Sequence, residues 1–66
     1  MSAGKILREL RGNKSLDATA KEIGITKSAL AMYERDERKP RDQVKVLIAG
    51  YFQKPVSYIF FNDGEH

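Results

Sequence analysis

The 66-residue sequence has no cysteine and a single histidine. No disulfide or thiolate metal site can therefore staple the fold, and His66 alone cannot hold a metal. No apolar run approaches the ~20 residues needed to span a bilayer. Met1-Ser2-Ala3-Gly4-Lys5 is followed by no long apolar stretch of the secretory kind. Repeats, low-complexity tracts and Pro/Ser linkers are missing as well. These absences point to one small domain over residues 1–66, expected in the cytoplasm and without cofactor. Enzyme chemistry lacks its materials too: there are no paired carboxylates in an apolar setting, no Ser/His/acid set and no glycine-rich phosphate loop. So short a chain does not easily enclose a substrate pocket. Neither catalysis nor a small-molecule ligand is expected.

A domain of this size buries only about 60% of the surface its unfolded chain exposes. Its core then supplies on the order of 3–5 kcal/mol, which leaves oligomerisation as a further source of burial. The net charge is +3, from 12 basic and 9 acidic side chains. Asp63 and Glu65 lie in the terminal stretch Asn62 to His66, which reads as a frayed tail. Residues 1–61 set twelve bases against seven acids, a net +5. That balance permits nucleic-acid binding without establishing it.

What is present is helical periodicity. Ala3 to Arg11 places Ile6, Leu7 and Leu10 on one face, and Gly12-Asn13 ends it. Ser15 is a good N-cap for a second helix, Leu16 to Ile23, with Ala20 and Ile23 inward. Gly24 stands where that helix must stop and turn, and a positive φ there would strain any other residue. Thr26 caps a third helix that runs to about Glu34. Leu30 and Tyr33 share its buried face, while Lys27, Ser28, Ala31 and Met32 occupy the opposite arc. A charged loop, Asp36 to Lys39, leads through Pro40 to a fourth helix, Asp42 to Phe52. Val44, Leu47, Ile48 and Phe52 are expected inward there. Lys54-Pro55 breaks it. Ser57 is expected to cap a last turn, Tyr58 to Phe61, whose Ile59-Phe60-Phe61 run must bury.

The informative unit is Ser15 to Glu34: capped helix, glycine turn, capped helix. So short a turn forces the two helices to cross steeply, with small Ala20 at the crossing. The third helix is then held proud of the body, and a helix fits a major groove about 12 Å wide. The stretch A-K-E-I-G-I-T-K-S-A-L-A-M-Y-E-R (Ala20 to Arg35), followed by R-K-P (Arg38 to Pro40), resembles the phage repressor/Cro helix-turn-helix family, the lambda repressor-like domains. The resemblance covers about residues 4–61.

That resemblance implies an all-α bundle of five helices with the helix-turn-helix in helices 2 and 3. It implies sequence-specific binding of double-stranded DNA in the major groove by a transcriptional regulator, most simply a repressor, encoded by a bacterium or phage. Lys27, Ser28 and Met32 match positions that face base edges. Ser15, Thr26, Arg35 and Arg38 match positions near the DNA backbone; Lys39, beside the third helix, is expected there too, and Leu16 is expected to touch sugar or to pack under the first helix. Arg11 and Glu34 match a partly buried ion pair between the first and third helices. The family's solution to reading a longer site is a homodimer on a pseudo-palindromic operator. The surface expected to serve it is Pro55, Val56, Tyr58 and Phe61. The same fold also serves as a protein-interaction module, such as an antitoxin. The polar Lys27 and Ser28 favour DNA.

The sequence departs from the pattern in four places. Leu16 stands where a polar residue is common. Thr19 replaces an apolar one and is expected to bond the carbonyl a turn back. Asp36 replaces glycine after the third helix, where the left-handed conformation is needed and Asp tolerates it. The link between the first two helices is also short.

Overall fold

The computed structural model describes residues 1–61, so the expected tail from Asn62 to His66 lies outside the described residues. Among the described residues the chain is all-helical: α1 (Ala3–Arg11), α2 (Leu16–Ile23), α3 (Lys27–Glu34), α4 (Asp42–Phe52) and α5 (Val56–Phe60). None of these helices is long and apolar enough to cross a membrane.

Local chemistry sets the first three helices. Ser2, Ser15 and Thr26 are their N-caps, each with its side-chain oxygen accepting a backbone N–H one turn on. Gly24 closes α2 at φ 99°, in the left-handed region. At the end of α1 only Gly12 takes a positive φ; Asn13 does not share that role. Asp36, following α3, sits at φ 58°.

The core joins Leu7 of α1, Leu30 of α3, Ile48 of α4 and Ile59 of α5, all essentially without solvent contact. Each such side chain contributes roughly 1.5–3 kcal/mol by leaving water. Ile6, Ala20, Ile23, Tyr33, Ala49 and Phe60 complete it.

Four expectations are corrected here. Leu47 is 52% exposed, and α4 instead turns Ile48 and Ala49 into the core, with Val44 and Phe52 packed at its edge. The helix is apolar nearly all round, so periodicity alone did not choose its face. The last helix starts at Val56, with Pro55 rather than Ser57 at its cap and no side-chain cap bond. Of the Ile59-Phe60-Phe61 run, only Ile59 and Phe60 bury; Phe61 remains 39% exposed. Thr19 is fully buried, yet its hydroxyl has no hydrogen-bond partner among the described residues. The carbonyl a turn back, that of Ser15, accepts Thr19's backbone N–H at 3.1 Å but no bond from its hydroxyl.

Candidate nucleic-acid interface

The position of α3 is set by its seam with α1. Gly4 is buried against the end of α3, where a Cβ would stand 2.4 Å from the Glu34 carbonyl oxygen and 2.8 Å from that of Tyr33. Only a glycine lets the two backbones approach this closely. The Gly4 N–H donates to the Asp36 carboxylate at 3.0 Å. Asp36 therefore does what a glycine at its place could not: it satisfies a first-turn N–H of α1 while ending α3.

About two turns along α1, the Arg11 guanidinium grips Glu34. Nε donates to Oε2 at 2.7 Å and Nη2 to Oε1 at 3.0 Å. Glu34 is only 6% exposed and Arg11 20%. The hydrogen bond to Glu34 raises the Arg11 pKa above its ordinary value. Arg11 also donates to the Lys14 carbonyl at 2.8 Å, which ties the α1–α2 turn to the same pair.

With one face of α3 fixed, the opposite face is a shallow groove lined by Lys27, Ser28, Ala31, Met32 and Arg35. Lys27 and Ser28 are exposed at its start; Ala31 and Met32 are half-buried along it. The three residues expected to face bases thus share one surface with one expected backbone cation. Arg35 ends the helix, and its guanidinium is already paired: Nε and Nη2 each donate to Glu37 at 3.0 Å. That pairing raises the Arg35 pKa and lowers that of Glu37. Glu37 was not singled out in the sequence, and nothing in its local pattern marks it as the partner.

The other expected backbone contacts are spread more widely. Ser15 and Thr26 are exposed caps, their side-chain oxygens accepting from the Ala18 and Ala29 N–H groups at 3.0 Å. Leu16 is half-buried at the start of α2. Arg38 and Lys39 are exposed in the loop before α4 and line a different cavity. Sequence reasoning missed Lys5 and Arg8 of α1, which share a second depression with Arg35. Their spacing of three on the outer face of α1 was the available signal.

At the other end, Pro55 and Tyr58 are exposed and Val56 is half-buried. Lys54 lies over the Tyr58 ring at 5.2 Å. Val46 and Leu47 of α4 add exposed apolar surface that the sequence did not reveal, at 61% and 52%. A separate contact joins α2 to α4, where Lys14, Glu22 and the Tyr51 hydroxyl hydrogen-bond one another.

The helix-turn-helix family model matches residues 5–59. No curated protein and no solved structure matches the chain.

Proposed function

Since the chain belongs to the helix-turn-helix family, a family of DNA-binding regulatory domains rather than enzymes, we propose that it reads double-stranded DNA by laying α3 in the major groove. The observation that carries this reading is the groove on α3. It gathers Lys27, Ser28, Met32 and Arg35 on the one face of that helix not committed to the core. Lys27 donates to guanine O6 or N7, Ser28 bonds a base edge, and Met32 meets a thymine methyl. Ser15, Leu16, Thr26, Arg38 and Lys39 position the backbone, joined by Lys5 and Arg8 beside Arg35. Free N–H groups at the starts of α2 and α3 favour phosphate there. The regulatory outcome is repression by occupying a promoter.

One such unit reads few base pairs, so two copies act as a homodimer on a pseudo-palindromic site. Pro55, Val56, Tyr58 and Phe61 provide its surface, and the exposed Val46 and Leu47 are further apolar residues available to a partner. Sedimentation with and without duplex tests this: a monomer in both states would remove the dimer.

The function itself is tested by titrating the chain into duplex from its own promoter region and into scrambled duplex, at several salt concentrations. Specific binding should exceed non-specific binding by at least ~10³-fold. Equal and steeply salt-dependent binding to both would leave phosphate contact only. Binding to neither at low salt would overturn the reading in favour of a protein-interaction module, for which exposed Val46 and Leu47 are the supporting feature.

A further inference from the structure

A cavity of about 420 Å³ opens between the start of α1, the end of α3, the loop before α4, the first turn of α4 and the end of α5. This lies within the ~300–1,000 Å³ of small-molecule sites. Its walls are apolar and aromatic: Leu7, Tyr33, Pro40, Phe60 and Phe61. Its charged groups are three cations, Arg38, Lys39 and Lys45, against the single carboxylate of Asp36. That carboxylate already accepts the Gly4 N–H. Lys45 is the unusual member. Its side chain is only 18% exposed, and its ion-pair partner, the almost fully exposed Asp42, stands 3.9 Å away. Its ammonium lies over the Phe60 and Phe61 rings, at 5.7 and 4.9 Å. Arg38 and Lys39 form no ion pair among the described residues.

A half-buried cation between aromatic walls, with unneutralised cations beside it, complements an anion attached to an apolar body. We propose that this cavity binds a small carboxylate with a compact apolar body, whose carboxylate meets Lys45 and the Arg38–Lys39 pair. Phosphate and other bare anions lack the body that the walls would bury, and neutral apolar molecules leave the cations unanswered. Arg38 and Lys39 also belong to the proposed DNA contacts. Occupancy therefore opposes DNA binding, and by linkage DNA opposes the ligand. This second half rests on the DNA-binding reading; the first does not.

The test uses the full chain and a naphthoate as probe, with the uncharged naphthalenemethanol of the same shape as control. Without DNA, naphthoate should shift the amide NMR signals of Leu7, Tyr33 and Phe60 saturably, and bind about tenfold or more tighter than the alcohol. Lys45→Met should remove most of that difference. No saturable shift at these residues, shifts confined to the outward face of α3, or equal affinity for acid and alcohol would each overturn the site. The acid–alcohol comparison uses the unaltered chain, so it stands whether or not the variant folds. With the site shown, naphthoate should raise the apparent Kd for specific duplex; an unchanged Kd at saturating naphthoate would overturn the coupling alone.

Discussion

Where α1 crosses α3, backbone meets backbone and polar groups fix the crossing. Gly4 makes room, Asp36 satisfies its N–H, and Arg11 and Glu34 lock the far end. Where α4 meets α5, neither helix has a side-chain cap bond, and Ile48, Ile59 and Phe60 hold the contact by burial. The first region tolerates little change because backbone atoms, which have no rotamers to move into, are packed directly against one another. The second spends its specificity on shape and leaves Val46, Leu47 and Phe61 partly in solvent. The difference matters for function: a reading helix must be held within fractions of an ångström, whereas a partner surface needs exposed apolar area.

The sharpest way to break that contrast is Gly4→Ala. The added Cβ would lie 2.4 Å from a backbone oxygen that has no rotamer to escape into. The helix-propensity gain, about 1 kcal/mol, is outweighed, and the net loss should be about 3 kcal/mol. Thermal melting of the variant reads it directly; a melting temperature equal to the unaltered chain would mean the seam is looser than described.

Arg11→Met comes next. It leaves the Glu34 carboxylate buried and unpaired. Removing one partner of a fully buried pair costs roughly 3–5 kcal/mol, and the partial exposure of Arg11 lowers this to about 2. Urea denaturation measures the loss, and little change would reduce the pair to a surface contact.

Thr19→Val should act in the opposite direction. It replaces a fully buried hydroxyl that has no partner with a methyl of similar volume. A gain of about 1 kcal/mol, or roughly 4–8 °C in Tm, is expected. A variant that melted no higher would show that the hydroxyl is satisfied in solution.

The smallest effect belongs to Glu22→Gln, at the exposed tie between α2 and α4. Hydrogen bonds from Lys14 and Tyr51 lower the Glu22 pKa below its ordinary 4.5. The folded chain therefore sheds this proton more readily than the unfolded one. The resulting stability is present above pH 4.5 and is lost as pH falls through the lower, folded value. Comparing melts of the two chains from neutral pH downward should show their difference shrinking below that point; a constant difference would deny the linkage.

Much of this was legible in the sequence where chemistry is local. Ser15, Gly24 and Thr26 each announce a helix end, so both ends of α2 and the start of α3 were placed to the residue. The outward arc of α3 followed from helical spacing. The inward face of α4 followed in part: Val44, Ile48 and Phe52 were placed correctly, but Leu47 was not, because Val46 and Leu47 offer competing stripes and Lys45 turns inward over aromatic rings. Pro55 gives no side-chain cap signature, so Ser57 stood in for it. Asp36 was read for its backbone conformation, while its bond to Gly4 joins residues 32 positions apart and has no local trace. The cavity was unforeseen for the same reason: five separate segments enclose it.

The central claim is that α3, held by its seam with α1, reads bases through its outward groove. The most direct measurement compares the unaltered chain with Lys27→Ala on specific and scrambled duplex at fixed salt, alongside a melt of each protein. The account predicts an unchanged Tm and a specificity ratio reduced by about 1–3 kcal/mol, roughly five- to 150-fold. An unchanged ratio, or equal weakening on both duplexes, would contradict base reading by this helix.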